Sequence, residues 1–402
     1  MAERCDVAVV GAGPAGAATA GLLAAVGYRV ALLDRARFPR RKTCAEYMSP
    51  GTEDALVRLG ADAAIRGARP LQVRGMEITS PRGRVFRVQY TYRGTARCAR
   101  TLQRLRLDAA LLELAAARGA TVHEGTVTRE PIVEGGTVQG VRGSASGREI
   151  VFRSRLTIIA DGAHSTLARS LNIVREPRWP VRLGLVAYYG GNVPLLADYG
   201  RMYVARGGYC GVAPLPDGLF NVAVVTHADA LARARRSATE FFEDWIGRNP
   251  ELRDLLADAR RESPVTGIVP IGARRARIWT SGALLVGDAA GFFDPFTGEG
   301  IFRALRGAEV AADVAHRALE RGAAGGEVLG IYADLQRATF RSKEAVSAIV
   351  QGFVQCPALL DYAIPRLNAR EVPAERLRLA LGDLSDAAEF LRPSVLWSAL
   401  RP

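Results

Sequence analysis

Lysine is almost absent from this chain. Of the 54 basic residues among its 402 residues, only Lys42 and Lys343 are lysines, and the others are arginines scattered among many alanines without a long block. A bias toward arginine and alanine codons explains the net charge of +13 more simply than a polyanion-binding role does. We therefore expect no nucleic-acid partner, although a positive field would favour anionic nucleotides as ligands.

Cysteines are few, and their spacing excludes two kinds of stabilising site. The five of them, an odd number, lie far apart along the chain: Cys5, Cys44, Cys98, Cys210 and Cys356. No two have metal-ligand spacing, so the sequence indicates neither a disulfide framework nor a zinc or other metal site. A location in the reducing cytoplasm fits this use of cysteine.

Long hydrophobic runs are absent too. The most apolar stretch, residues 12–26, is rich in glycine and alanine and is shorter than a membrane span requires. No cationic leader with an apolar core precedes the first predicted strand. We expect a soluble, cytoplasmic protein with no integral membrane segment.

The first motif is a glycine-rich turn, G-A-G-P-A-G, that directly follows a short apolar strand and opens a helix. In such a turn Gly11 allows the tight bend, Gly13 lets the backbone approach a pyrophosphate, and Gly16 lets the helix pack on the strand. The helix N-terminus favours phosphate. Asp34 ends the second strand, where an acid accepts hydrogen bonds from ribose hydroxyls. The motif predicts a dinucleotide site that also includes Pro14, Ala15 and Arg35.

The order of strands and helices predicts an α/β protein. A βαβ unit at the start is followed by antiparallel strands, by further buried parallel strands, by a second antiparallel stretch and by a helical end. We predict a Rossmann-like dinucleotide-binding domain, an inserted antiparallel β-sheet substrate domain and a helical C-terminal tail. The predicted bounds are 1–74, 98–175 and 265–330 for the first domain, 75–97 and 176–264 for the second, and 331–402 for the tail.

Two further motifs each follow a buried strand. The second begins Ala-Asp-Gly-Ala-His and contains Asp161 and Gly162. The third begins Val-Gly-Asp-Ala-Ala-Gly at residue 286 and continues to a proline and a Gly-Glu-Gly-Ile turn; its predicted site residues are Gly287, Asp288, Pro295, Gly298, Gly300 and Ile301. No second G-x-G-x-x-G occurs, so a separate domain for a second dinucleotide is not expected.

With these three motifs in this order, residues 5–320 resemble the FAD enzymes that bind their cofactor in a single domain, among them aromatic hydroxylases and geranylgeranyl reductases. The resemblance implies that the first domain binds FAD, with NAD(P)H as a transient reductant. It gives Asp288 a hydrogen bond to the ribityl chain and places Asp161 and Gly162 at the pyrophosphate. Pro295 and the turn at 298–301 would pass beside the isoalloxazine ring.

The same resemblance implies cofactor contacts outside the motifs. Arg104 matches the family arginine near the cofactor, and Val127 matches a residue whose backbone meets the adenine. The segment from Lys42 through Thr43 and Cys44 resembles the K-x-C loop of the reductase branch. Two residues of this loop, Ala45 and Glu46, replace the usual Gly-Gly.

Three reactions compete: hydroxylation, reduction of C=C bonds and halogenation. In residues 208–214, Gly211 and Ala213 replace the tryptophan and phenylalanine of the reductases' Y-x-W-x-F-P motif, which weakens the case for a long prenyl chain. The halogenases' W-x-W-x-I-P is absent as well. These small residues leave room for a ring, on which Tyr209 would stack.

The leading hypothesis is therefore an NAD(P)H-consuming monooxygenase of bacterial secondary metabolism. It would use O₂, through a flavin C4a-hydroperoxide, to hydroxylate or epoxidise an apolar aromatic or polycyclic small molecule. The alternative is a flavin-dependent reductase of C=C bonds in a prenyl lipid or a quinone side chain. A flavin-stabilised binding or regulatory protein is the hypothesis of a different class.

The candidate catalytic residues are Cys44, Glu46 and Tyr47 on one loop, Tyr209 in the substrate domain, and Pro295 beside the ring. Cysteine is more often a small buried apolar residue than a reactive one, and the sequence identifies no general acid or base. The C-terminal helices either cover the active site or form an oligomer contact. The sequence leaves both possibilities, and the oligomeric state, open.

Overall fold

The structure is a computed structural model that describes residues 2–175, 181–191, 193, 198–292 and 294–401. Its strands are β1 (Ala2–Val10), β2 (Val30–Asp34), β3 (Tyr47–Met48), β4 (Leu71–Val73), β5 (Gly75–Thr79), β6 (Val85–Tyr92), β7 (Thr95–Arg97), β8 (Ala99–Thr101), β9 (Thr121–Glu124), β10 (Thr126–Glu134), β11 (Thr137–Ala145), β12 (Arg148–Ile159), β13 (Val174–Arg175), β14 (Arg182–Gly190), β15 (Tyr199–Ala205), β16 (Gly208–Pro214), β17 (Leu219–His227), β18 (Arg260–Arg261), β19 (Thr266–Ile271), β20 (Arg274–Arg275), β21 (Trp279–Thr280) and β22 (Ala283–Leu285). Its helices are α1 (Pro14–Ala25), α2 (Gly51–Arg58), α3 (Asp62–Gly67), α4 (Arg104–Ala117), α5 (Thr166–Ser170), α6 (Ala228–Ala234), α7 (Ala238–Gly247), α8 (Pro250–Leu255), α9 (Gly300–Glu320), α10 (Gly326–Gln355), α11 (Pro357–Asn368), α12 (Glu371–Leu381) and α13 (Pro393–Leu400).

The first sheet carries the three motifs at one edge. Strands β22, β12, β1, β2 and β9 lie side by side and parallel, and β10 and β11 extend the sheet in the antiparallel sense. The last four residues of β1 are buried because the sheet is covered on both faces. Since β1, β12 and β22 each run directly into a motif, parallel pairing brings the motifs together at their carboxyl ends.

Helices α1, α4 and α9 share one apolar core with this sheet. Leu23, Leu107 and Leu305, one from each helix, are fully buried in that core. Small residues dominate α1, and they let it approach α9 and the strands closely. The helices therefore fix the glycine-rich turn against the sheet.

The second sheet faces the motif edge. Its order is β18-β14-β17-β16-β15-β5-β6-β7, with β19 also paired to β14, and all of its pairs are antiparallel except β15 with β5. Along β17, Val222 and Val224 point to a core with α7 and α8, whereas Ala223 and Val225 point to the opposite side. One face of the sheet is thus left for the cleft and the C-terminal helices.

One predicted boundary is wrong. The sequence assigns residues 265–330 as a whole to the dinucleotide domain, yet β19 hydrogen-bonds to β14 in the second sheet. The strand Thr-Gly-Ile-Val-Pro-Ile lacks a clear alternation of polar and apolar residues because a glycine and a proline interrupt it, which hides it in the sequence. The other predicted domain bounds stay predictions.

The prediction of an α/β fold with a helical tail is confirmed. Helices α10 to α13 pack on α9 and on the second sheet, and their apolar residues join a core with Phe86, Tyr90 and Phe296. Within the ranges that the structure describes, no helix combines the length and the apolarity needed to cross a bilayer.

Candidate active site

The glycine-rich turn forms a cradle with space for a phosphate group. A Cβ at Gly11, where φ is +99°, or at Gly16 would overlap backbone atoms of the turn or of Ala160. A Cβ at Gly13 would meet no atom closer than 3.8 Å among the described residues. The two atoms at that distance are guanidinium nitrogens of Arg104 and Arg40. Helix α1 has no acidic residue in its first turn and no side-chain cap. Its free N–H groups and two nearby cations fit a pyrophosphate.

Arg104 is fixed by a buried ion pair. Its Nε and Nη2 donate to the two oxygens of Asp108, each at 2.7 Å, and Arg40 Nη1 donates to Asp108 at 2.9 Å. Two guanidinium groups therefore share one wholly buried carboxylate beside the cradle. Arg40 was missed in the sequence, where it lies in a short basic run, Arg-Arg-Lys, that was not connected to the cofactor.

The residues predicted to bind the adenosine part of the cofactor are Asp34, Arg35 and Val127, and they differ in burial. Asp34 is buried, and its carboxylate accepts from the backbone N–H of Ala12 at 2.8 Å and of Ala36 at 2.9 Å. Arg35 is exposed, and Val127 is 42% exposed on β10. Neither of the last two lines the central cleft, and their roles stay predictions.

Lys42 lies between the second and third motifs. Its Nζ is 3.8 Å from Asp288 Oδ2 and would be 3.8 Å from a Cβ at Gly162. In the second motif, Asp161 Oδ2 accepts from Thr166 N at 3.0 Å, while Oδ1 is buried and has no partner among the described residues. Burial raises the pKa of Asp161. An orphan acceptor beside the cradle fits a ligand that brings a donor.

Most predicted site residues line one cleft between the motif edge and the second sheet. They are Gly13, Pro14, Ala15, Lys42, Thr43, Cys44, Glu46, Tyr47, Arg104, Gly162, Gly287, Asp288, Pro295, Gly298, Gly300 and Ile301. The wall toward the second sheet is apolar and consists of Gly184, Val186, Ala223, Val225, Ile268 and Ile271. The cleft thus joins a polar cradle to an apolar chamber, as in sites for a cofactor and an apolar substrate.

Glu46 is the most perturbed acid of this cleft. It is fully buried, and its φ of +60° lies in the left-handed region that favours glycine. Its Oε1 accepts from Tyr188 Oη at 2.6 Å and from Arg104 N at 2.9 Å, whereas Oε2 has no partner among the described residues. Burial raises the pKa of Glu46 to about 7. The glutamate that replaces the usual glycine of the K-x-C loop therefore places in the cleft a carboxyl whose pKa is near neutral pH.

The neighbours of Glu46 on the loop have supporting contacts. Cys44 Sγ accepts from Glu46 N at 3.3 Å, and the Cys44 carbonyl accepts from Asn221 Nδ2 at 2.9 Å. The Tyr47 hydroxyl is 3.1 Å from that of Tyr90, and a Cβ at Gly298 would lie 2.7 Å from the Tyr47 ring. Tyr47 thus packs under the third motif with its hydroxyl already bonded.

The placement predicted for Tyr209 is wrong. Its side chain is buried outside the cleft, its hydroxyl donates to Asp294 Oδ1 at 2.8 Å, and its ring meets Phe296 edge-on at 4.9 Å. The space expected beside Gly211 is also filled, because a Cβ there would lie 3.0 Å from Met202 Sδ. Pairing with β15 and β17 decides these neighbours, and the sequence of β16 alone does not show them.

A family model described as an FAD binding domain matches residues 4–343. Among curated proteins, a digeranylgeranylglycerophospholipid reductase of Methanosarcina mazei is 29% identical over 328 residues, or 80% of this chain and 77% of the relative. A menaquinone reductase of Mycolicibacterium smegmatis is 30% identical over 337 residues, or 78% of this chain and 77% of the relative.

Among solved structures, a flavin-dependent brominase matches 98% of this chain and 99% of its own with a TM-score of 0.84. At 18% identity this likeness shows the fold alone. The family match and the cradle around Gly13 lead to one conclusion: the chain belongs to the FAD binding domain family and is an FAD-dependent oxidoreductase.

Proposed function

We propose that this oxidoreductase reduces a carbon–carbon double bond in an apolar substrate, such as a prenyl lipid or the side chain of a quinone. The observation that carries the proposal is the buried carboxyl of Glu46, which lines an apolar cleft. One of its oxygens has no hydrogen-bond partner among the described residues, and its pKa is about 7. The reductases among the relatives support the same reaction class.

Saturating a double bond requires a hydride on one carbon and a proton on the other. When bound, FAD supplies the hydride, and NAD(P)H is the expected source of its electrons. The apolar wall around Ala223 and Val225 keeps water from the double bond, so the proton must come from a side chain. With a pKa of about 7, Glu46 is protonated in part near neutral pH, and Oε2 is free to present that proton because Tyr188 and Arg104 N bond to Oε1.

A monooxygenase acting on an aromatic or polycyclic molecule, with O₂ as co-substrate, is the second candidate. The observation in its favour is the small size of Ala223 in the apolar wall; the side chains of Ile268 and Ile271 fill the space beside Gly184. Hydroxylation of this kind does not depend on a strong proton donor. The two functions therefore differ in what they predict for Glu46 and for oxygen.

The experiment uses holoenzyme under anaerobic conditions with NADPH and, in parallel reactions, menaquinone or a geranylgeranyl glycerophospholipid. The proposed reductase yields saturated product, detected by mass spectrometry, and in D₂O at least one deuterium enters per reduced bond. Glu46→Gln should lower this rate about 100-fold or more, as expected for loss of a general acid.

Glu113→Gln is the matched control, because Glu113 is exposed on α4, the helix that also carries Arg104. It should leave the rate unchanged. No anaerobic product from either substrate, together with ¹⁸O incorporation from labelled O₂ into an aromatic product, would overturn the reductase and select the monooxygenase.

A further inference from the structure

A second large cavity adjoins the active-site cleft. It has a volume of about 980 Å³ and lies between residues 272–278, the third motif and the helices α9 and α10. It shares Gly287, Asp288 and Gly300 with the cleft. A molecule in this cavity would therefore lie next to the residues predicted to hold the flavin.

The lining of this cavity, which we call the arginine cavity, is strongly basic. It contains the arginines Arg182, Arg274, Arg275, Arg277, Arg303 and Arg337. The acidic side chains of the same lining, among the described residues, are Asp288, Asp294 and Glu344. Glutamines of α10 add amide donors to the wall. The cavity is thus an exception to the even scatter of arginine along the chain.

Half of these arginines are neutralised by carboxylates. Arg182 is ion-paired with Asp294, Arg303 with Glu344 at 2.7 Å, and Arg337 with Asp334 at 2.8 Å. Such paired guanidinium groups join segments of the protein to one another. Their charge is already compensated within the protein, so they add little to the attraction of an anion.

The other three arginines lack a carboxylate within ion-pair distance in the part of the chain that the structure describes. Arg275 is held by carbonyl oxygens, donating at 2.8 Å to Ala163 and at 2.8 Å to Ala289. Arg274 is half-buried beside it, and Arg277 is exposed at the rim. Three cations without a directly paired carboxylate in one cavity create a local positive field that a bound anion would neutralise.

We propose that the arginine cavity binds the phosphate or diphosphate group of a small ligand whose reacting part enters the cleft. The planar guanidinium fork matches phosphate oxygens. Two sources share this chemistry: the diphosphate of the nicotinamide nucleotide and the phosphate of a phospholipid substrate. The proposal deepens the proposed function, because both ligands belong to the reduction of an apolar lipid.

The first test measures phosphate binding without any turnover. Inorganic pyrophosphate is titrated into the holoenzyme by calorimetry, and the variant is Arg274→Gln combined with Arg277→Gln. Both residues are at least partly exposed, so the fold and the flavin content should be retained. Loss of two charge-assisted contacts should raise the pyrophosphate Kd about tenfold or more. Arg129→Gln, an exposed arginine on β10 outside the cavity, should leave it unchanged.

Two further arms identify the source of the phosphate. A raised Kd for NADPH in anaerobic flavin bleaching, with an unchanged KM for the lipid, assigns the cavity to the reductant. A raised KM for a phospholipid substrate, with no change for menaquinone, assigns it to the headgroup. Pyrophosphate that does not bind, or binds wild type and the double variant equally, would overturn the proposal. Because the pyrophosphate titration and the flavin bleaching need no reduction of substrate, they give a result even where the proposed reaction fails.

Discussion

The hydroxyl of Tyr188, on β14, donates to Oε1 of Glu46 at 2.6 Å. The two residues come from different layers of the molecule and lie 142 positions apart in the chain. The bond stabilises the charged form of the carboxyl and so lowers the pKa of Glu46, against the larger effect of burial, which raises it. The second sheet thereby sets the proton affinity of an acid on the cofactor loop.

Replacing this hydroxyl should shift the pH dependence of the reaction. Tyr188→Phe removes the bond that lowers the pKa of Glu46, so the pKa should rise above its wild-type value of about 7. If Glu46 is the proton donor, the fall of kcat/KM on the alkaline side should move to higher pH. Tyr189→Phe is the control, because its hydroxyl bonds Glu243 and its ring lies in the core on the other face of the sheet. An alkaline limb that stays in place in Tyr188→Phe would contradict the assignment.

The raised pKa of Glu46 also predicts how stability depends on pH. The group titrates near 4.5 when unfolded and near 7 when folded, so between these values the folded state binds more protons. Stability should therefore fall as pH rises through this window and level off above it, by up to about 3 kcal/mol. Glu46→Gln cannot ionise, so its stability relative to wild type should increase over the same window.

Urea denaturation of both proteins from pH 4.5 to 8 measures this difference. Subtracting the two curves isolates the contribution of Glu46 to the pH dependence of stability. Other buried acids, such as Asp294 and Glu299, whose pKa values are also raised by burial, contribute equally to both curves and cancel. A difference that is the same at every pH would show that the carboxyl is not neutral in the fold near pH 6.

The cofactor edge could be predicted from sequence, but the chamber above it could not. Each motif follows a parallel strand, and parallel pairing by itself places the carboxyl ends of the strands at one edge of the sheet. Tyr188 and Asn221 act through contacts with the 42–50 loop that depend on how the second sheet docks, and no local pattern encodes docking. The prediction for Tyr209 is wrong for the same reason, since its side chain contacts Asp294 and Phe296 from another segment.

The glycines of the first motif should differ in what their loss does. Gly16→Ala places a methyl group into the carbonyl of Gly11, so we expect lost stability of about 3 kcal/mol or more. In Gly13→Ala the added methyl has no described atom nearer than 3.8 Å, so the variant should fold. The methyl occupies the space predicted for the phosphate, however, and should weaken the binding of FAD at least about tenfold. Thermal unfolding of apoprotein and flavin titration separate the two effects. Gly247→Ala, at the end of α7 with no described atom within 4 Å of the added methyl, is the control and should lose neither stability nor FAD affinity. If Gly13→Ala and Gly16→Ala lose the same amount of stability and of FAD affinity, the assignment of the phosphate site to Gly13 is wrong.

The two lysines should have separate roles. Lys343 is buried on α10, where Nζ is 2.9 Å from Asp383 and 3.6 Å from Glu299 of the third motif. Lys343→Met removes the cation paired with Asp383 and leaves Glu299 with Arg303 alone, 3.9 Å away, and should cost about 3–5 kcal/mol near pH 8. Because Lys343 lowers the pKa of Glu299, its loss raises that pKa, and the cost should shrink as acid neutralises the Glu299 carboxyl.

Lys42→Met is the counterpart on the cleft. Lys42 is partly exposed and lies 3.8 Å from Asp288, so its loss should change stability by less than about 1 kcal/mol while weakening flavin binding. Urea unfolding at pH 5 and pH 8, with flavin titration of the folded protein, measures both variants. A Lys343→Met penalty that is independent of pH would show that Lys343 contributes packing rather than charge. In that case the polar links from α10 to the third motif would be the hydrogen bonds of Ser347 with Glu299 and of Gln351 with Asp294.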